Sequence, residues 1–264
     1  MSKFRSNLFL DDLPAAIRSE ILAVSETVPL PIRTLIYSPD EPPKYVHFLT
    51  FGIASIVAMM STGEGVEVGI VGREGIPEAL LLLGPSGPVN QCFIQVAGAA
   101  MRVNFAQFQQ HFYPLPEVHR ALLRQVQTSV MTTSQIAACN RLHEVEERLA
   151  RWMLMVADRV NESEFYLTQE FLAEMIGARR STVTLAAATL KRSGIIDYNR
   201  GHIRILDRAA LEDAACECYP ILRSLLEETN TSTSRHVSRI SGGSPRSADS
   251  AKSAASGKPD GRKR

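Results

Sequence analysis

The stretch Thr168-Gln-Glu-Phe-Leu-Ala-Glu-Met-Ile-Gly-Ala-Arg-Arg-Ser-Thr-Val-Thr-Leu-Ala-Ala-Ala-Thr-Leu-Lys-Arg-Ser-Gly194 decides the reading of this chain. It predicts two short helices joined by a turn. Thr168 stands at an N-cap position, and Phe171, Leu172, Met175 and Ile176 follow at helical spacing. Gly177 is placed to end that helix in the left-handed conformation glycine adopts freely. A second helix is expected from Ser181 or Thr182, with Val183, Leu185, Ala186, Ala187 and Leu190 inside it and Arg179 and Arg180 at its N-terminal end. Such a pair places that end of the second helix in the DNA major groove. A helical hairpin with solvated arginines is the plainer reading of the stretch alone.

Working outward, Ile195–Tyr198 and His202–Leu206 are strand-like runs about a tight Asn199-Arg200-Gly201 turn, a hairpin signal. A hairpin directly behind a recognition helix is the wing of a winged-helix domain, which strengthens the helix-turn-helix reading. Upstream, Glu117 to Ile176 contains neither Pro nor Gly. In it, Val118, Leu122, Val126, Val130, Thr133 and Ala137 form a stripe flanked by Leu123 and Ile136, read as the seam of a homodimer. A further helix carries Leu149, Trp152, Met153 and Val156 on its core face, with Arg148, Arg151 and Arg159 expected off it.

The N-terminal part differs in character. Residues 8–30 have helical spacing. Short strand-like runs follow at Ile32–Tyr37, Tyr45–Thr50, Ile53–Met59, Val66–Val71, Cys92–Ala97 and Met101–Phe105. Pro39–Pro43, Ser61–Gly65 and Ala97-Gly98-Ala99 are read as their turns, and Pro77–Leu83 as a helical interruption. This pattern predicts a jelly roll. The fold class is therefore α+β: a β jelly-roll domain over 1–113, a dimerisation helix over 114–140, a winged helix-turn-helix over 141–212, and a disordered basic tail over 229–264.

The net charge of +1 conceals an uneven distribution. Gly177–Arg208 holds seven Lys/Arg against two Asp, and 229–264 holds eight against two, so the remainder carries −10. Basic charge concentrated on one folded module is the footprint of a nucleic-acid binder. With 45% hydrophobic and 22% charged residues, no apolar run long enough to span a bilayer and no apolar signal-like segment at the N-terminus, a cytoplasmic protein is expected. The four cysteines, Cys92, Cys139, Cys216 and Cys218, suggest no disulfide framework. Cys216-Glu-Cys218 is too small a set to hold zinc or an iron–sulfur cluster alone and is read as two helix-terminal thiols; His47, His111, His119 and His143 are read as isolated. No cofactor or metal is expected. A cupin-type enzyme would need two or three converging histidines, and the β region offers only His47. No nucleophile–base set or phosphate-binding Gly loop is evident, so the chain is read as a non-enzyme.

The order of β roll, long helix and winged helix resembles the Crp/Fnr family of bacterial transcription regulators over roughly residues 8–220. The resemblance lies in Arg141–Leu154, Leu167–Leu190, the Gly194–Asp207 wing, Val46–Gly52 and Val66–Gly75. It implies a homodimer docked along the long helix, binding near-palindromic double-stranded DNA in successive major grooves, and a surface touching RNA polymerase that no residue here locates. It further implies that Arg180 reads a guanine, that Arg179, Ser181 and Thr184 lie at or near bases, and that Thr168, Gln169 and Thr182 hold phosphates. Lys191 and Arg192, with the wing residues Arg200, His202 and Arg204, complete the implied DNA-binding set. Ser181 stands where well-known members carry glutamate, and Leu185 replaces a polar side chain, so the half-site should differ from the best-known one.

The sensor departs further from the family. Glu78 can stand for the glutamate that cyclic-nucleotide-binding members place on the ribose, but Pro77 replaces the preceding glycine. The phosphate-binding arginine position falls near Asn90 or Gln91, and no Lys or Arg lies between Glu74 and Met101. Without a cation a buried phosphate lacks its charge-assisted contact, so cyclic nucleotide binding of the usual kind is not expected. The N-terminal cysteine cluster of Fnr-type members is absent as well. The effector stays unidentified, and a signalling module acting through protein contacts is the alternative function.

Overall fold

The computed structural model describes residues 5–84 and 86–240, with 230–240 described in the main chain only. The chain opens with α1 (Leu8–Asp11) and α2 (Ala15–Ala23), then β1 (Glu26–Leu30), β2 (Leu35–Tyr37), β3 (Tyr45–Met59), β4 (Gly65–Val71), α3 (Ala79–Leu82) and β5 (Gln91–Asn104). After α4 (Phe105–His111) and the long α5 (Pro116–Leu142) come α6 (Val145–Val160), β6 (Glu164–Tyr166), α7 (Gln169–Ile176) and α8 (Arg180–Arg192). The last elements are β7 (Ile196–Asn199), β8 (His202–Ile205), α9 (Arg208–Asp213) and α10 (Cys218–Ile240).

The first sheet is antiparallel in the order β1-β5-β3-β4, with β2 also on β5. Its two long strands correct the expected strand count. Tyr45–Thr50 and Ile53–Met59 are one strand, and Cys92–Ala97 and Met101–Phe105 are another, except that Phe105 already begins α4. Ala97-Gly98-Ala99 is therefore not a turn. It is where β5 crosses β3, and the register between them shifts repeatedly from Leu49 to Ala54. Gly52 has φ +90°, and a Cβ on Gly98 would lie 2.0 Å from the Phe51 carbonyl oxygen. Two glycines thus let the backbones touch and both strands bend there, which turns a flat pairing into a roll. Bending buries both faces: Val46, Phe48 and Val103 pack with α4 and α5, while Leu49, Ala54, Ile94 and Ala100 form a second cluster with Leu30 and Ile36.

Residues 8–30 are not one helical region. Pro14 separates two short helices, and Ser25 onward leaves helical geometry so that Glu26–Leu30 pairs with β5. The β-branched Thr27 and Val28 and the ring of Pro29 suit an edge strand better than a helix. At the other end, α10 continues to Ile240, so the expected disordered tail does not begin at 229. No Pro or Gly falls between Ile221 and Ile240, and a helix nucleated on the packed Leu222 propagates at little cost. Residues 241–264 of that tail lie outside the described residues.

Helix α6 joins the two halves. Its apolar face, with Leu149, Trp152, Met153 and Val156, enters a core shared by α7, α8, β7, β8 and the sheet residues Ile53, Val57, Ile70 and Phe93. The expectation that its arginines lie off the core fails: Arg148 is 6% and Arg151 2% exposed, because packed elements surround the helix. Arg159 is half-buried, its guanidinium paired with Glu74 at 2.7 Å. No helix among the described residues is long and apolar enough to cross a membrane.

Replacing Gly98 with Ala should cost roughly 2–4 kcal/mol, because its clash is with backbone that cannot move aside. Gly84→Ala, where an added Cβ meets nothing within 4 Å, should be close to neutral in the same urea titration.

Candidate nucleic-acid interface

The helix-turn-helix is held by its caps. Thr168 Oγ1 accepts from the Phe171 amide at 3.2 Å, filling the open N-terminus of α7. Gly177 has φ +59°, and its N–H reaches Glu174 O at 3.2 Å while that of Ala178 reaches Ala173 O at 3.0 Å. This pair of bonds is a Schellman closure, which requires the left-handed residue that glycine supplies. It turns the chain sharply, so α8 begins at Arg180, one residue before the expected start, with Arg179 as its N-cap.

Helix α8 buries Val183, Ala186, Ala187 and Leu190, and the two alanines let its backbone approach α6 closely. The opposite side exposes Arg179, Arg180, Ser181 and Thr182 at the positive end of the helix dipole. Leu185, absent from the expected DNA-binding set, is 69% exposed on this side. Its signal in the sequence was an apolar residue at a position where the apolar stripe of α8 has already turned away. Thr184 and Gln169 are brought together: Thr184 Oγ1 donates toward Gln169 Oε1 at 3.0 Å, tying α7 to α8.

The wing closes through a two-residue turn in which Arg200 (φ 47°) and Gly201 (φ 86°) are both left-handed, the geometry of a type I′ hairpin. Arg200, His202 and Arg204 are exposed on it. Arg204 already pairs with Glu164 at 2.7 Å across β6, and the ring of His202 packs edge-on to Tyr166. Lys191 reaches the Tyr198 carbonyl at 3.0 Å and Asp197 at 2.8 Å, so it braces the wing against α8. Arg192 lies beside Thr189. Among the described residues, the arginines without an ion pair in the expected set are Arg179, Arg180, Arg192 and Arg200.

Residues 147–214 match the family described as the Crp-like helix-turn-helix domain. The chain has the Crp/Fnr fold. A Crp/Fnr-family regulator from Eubacterium rectale superposes with a TM-score of 0.62 at 15% identity, covering 77% of this chain and 95% of that one. FixK2 from Bradyrhizobium japonicum gives 0.61 at 16%, covering 73% and 98%. The c-di-GMP-responsive global regulator CLP of Xanthomonas campestris gives 0.60 at 16%, covering 73% and 99%. No curated protein matches the sequence.

On the β-roll side of this Crp/Fnr fold, a cavity of about 680 Å³ lies between β4, α3 and α5, and α10 closes it with Leu222 and Leu226. Its walls are mainly apolar, including Ile56, Val68, Ile70 and Val126. Of the three candidate effector residues only Asn90 lines it. Glu78 is fully buried elsewhere: its carboxylate takes the His47 amide at 3.1 Å and faces His47 Nδ1 at 2.7 Å. His47 is thus a partner, not an isolated histidine. Gln91 is bound into the β-ladder opposite Val57. Arg159 borders the cavity but is held by Glu74.

Buried contacts link cavity and reading head. Gln125 of α5 donates to the Ile76 carbonyl at 2.8 Å and accepts from its amide at 3.2 Å, fixing the loop before α3. Trp152 Nε1 donates to Glu67 Oε1 of β4 at 2.9 Å, and Ser55 donates to the other carboxylate oxygen at 2.6 Å. Burial pushes the Glu67 carboxyl up to about 7, against the opposing pull of these two donors. His143 and the thiols of Cys216 and Cys218, expected to stand apart, are drawn together with Cys139.

Because its folded value is raised, Glu67 favours the fold below the unfolded carboxylate range, and that contribution is lost as pH rises through about 7. Glu67→Gln keeps an acceptor for Trp152. It should be more stable than the wild type by on the order of 2 kcal/mol at pH 8, with the difference closing by pH 5 in paired thermal melts.

Proposed function

We propose that the chain is a non-enzymatic, sequence-specific transcription regulator that binds near-palindromic DNA as a homodimer. The observation that carries this is the exposed Arg179-Arg180 pair at the N-terminal end of α8, beside an Arg-bearing wing, in a Crp-like helix-turn-helix domain. In the organisation proposed, residues 1–113 sense, the helix over 114–140 dimerises and 141–212 reads DNA. Arg180 reads a guanine through its two parallel donors, and Leu185 packs on a thymine methyl. Thr168 and Thr182 hold phosphates, as do Arg200 and Arg192 of the basic face. Gln169 and Thr184 set the angle between α7 and α8.

The dimer seam differs from the stripe expected. Val118 and Leu122 are consumed by the core of their own chain, and Val126 is half-buried. Exposed positions run 123, 127, 130, 134, 137 and 141, alternating four and three residues as a two-helix seam requires. Leu123 and Val130 are its large apolar members, with Ala137 further along and Met131 beside them. Two copies joined there would place two α8 helices in major grooves one helical turn apart.

The cavity suits a largely apolar effector. Among the described residues that line it, no cation is free to meet a phosphate, and Glu78 is committed to His47. A contact with RNA polymerase belongs to this reading without assigned residues.

Selection of bound fragments from random DNA should recover a palindrome with half-sites about ten base pairs apart. Arg180→Ala should relax one base position at a cost of ~1–3 kcal/mol, whereas Arg200→Ala should weaken all sequences alike and lower the salt slope by about one. Recovery of no motif would instead favour a module acting through protein contacts. In the same assay cyclic AMP and cyclic GMP should leave affinity unchanged; a severalfold tightening would reverse the reading of the cavity.

A further inference from the structure

We infer that Cys139, His143, Cys216 and Cys218 form a site for one tetrahedral zinc ion that staples the end of α5 to the start of α10. The ligand atoms of all four residues lie within 4.8 Å of one another. Cys139 Sγ and Cys216 Sγ are 3.4 Å apart, and Cys218 Sγ is 3.5 Å from His143 Nδ1. Tetrahedral bonds of ~2.3 Å to sulfur and ~2.0–2.1 Å to nitrogen separate two thiolates by about 3.8 Å and a thiolate from an imidazole by about 3.6 Å. The pairs therefore already sit near the edges of one such tetrahedron. An iron–sulfur cluster would divide the four ligands among two or more irons and spread them further than a single shared ion does.

The surroundings match what such an ion needs. Gln135 Nε2 donates to Cys218 Sγ at 3.1 Å. Glu217 Oε1 lies 3.7 Å from His143 Nε2, the nitrogen turned away from the sulfur, too long for a hydrogen bond but on the side from which a carboxylate would orient a ligand imidazole. Three thiolates around a dication leave one net negative charge. Arg148 and Arg151 of α6 lie buried in the electrostatic field of Cys139 and Cys216, and the Nε of each has no hydrogen-bond partner. Neither makes an ion pair among the described residues, so an anionic centre beside them offsets cations that are otherwise costly to bury.

Cys139 and His143 are one turn apart at the end of α5, where the chain enters the DNA-binding module, and Cys216 and Cys218 stand where it leaves α9 for α10. The ion joins entry and exit of the module. Its loss is expected to loosen α8 relative to α5; this consequence alone rests on the DNA-binding reading above.

Full-length protein purified with zinc present should carry one zinc per chain by plasma mass spectrometry. Cobalt exchanged into it should show the thiolate-to-metal charge-transfer and ligand-field bands of a tetrahedral sulfur-rich site. Cys216→Ser and His143→Ala should lose stoichiometric metal, while Cys92→Ser, at a buried thiol in the β roll, should keep it. Wild-type protein lacking metal, a Cys139–Cys216 disulfide in non-reduced digests, iron with sulfide, or zinc retained in Cys216→Ser would each overturn the site. Chelation should also lower operator affinity at least tenfold. One zinc per chain with unchanged affinity would overturn the coupling and leave the site standing, and one zinc per chain without any operator would count against the DNA-binding reading only.

Discussion

Helix α6 is the constraint on which the arrangement depends. It is enclosed on every side, and a helix so placed must satisfy whatever polar groups it carries from neighbours rather than from water. Trp152 gives its N–H to Glu67 on β4, and Arg159 pairs with Glu74 in the loop after that strand. Both bonds are expensive to leave unmade in a dry interior. They hold the module behind α6 in a defined relation to β4, and Phe93 packing edge-on against Phe171 extends the contact to α7.

That frame connects the cavity to the helix-turn-helix module. Its walls are β4 and α5, its lid is α10, and Gln125 fastens the loop before α3 to α5. An effector that alters the spacing between β4 and α5 acts on elements bonded directly to α6. The four-residue cluster lies between the end of α5 and the start of α10.

Much of the reading head was legible in the order of residues because local rules govern it. Thr168 caps, Gly177 turns and Arg200-Gly201 closes a hairpin through interactions spanning at most five positions. The β roll was legible in kind but not in count. Gly98 signals a turn when read locally, whereas its role comes from close approach to Phe51 and Gly52 on another strand. The candidate effector residues were the least legible. Glu78 keeps its place near α3, yet its carboxylate is turned onto His47, a pairing no local spacing announces.

By itself the sequence determined the helices of the helix-turn-helix, their caps, the wing and the basic patch, since each follows from neighbours within a turn or two. Tertiary structure alone decided which face of α5 stays free, that Arg148 and Arg151 are buried, and that Cys139 and His143 meet Cys216 and Cys218. Those partners are 75 or more positions apart, Cys139 from Cys216 by 77 and His143 from Cys218 by 75. At such separations it is the packing of whole helices, and not spacing along the chain, that sets which side chains meet.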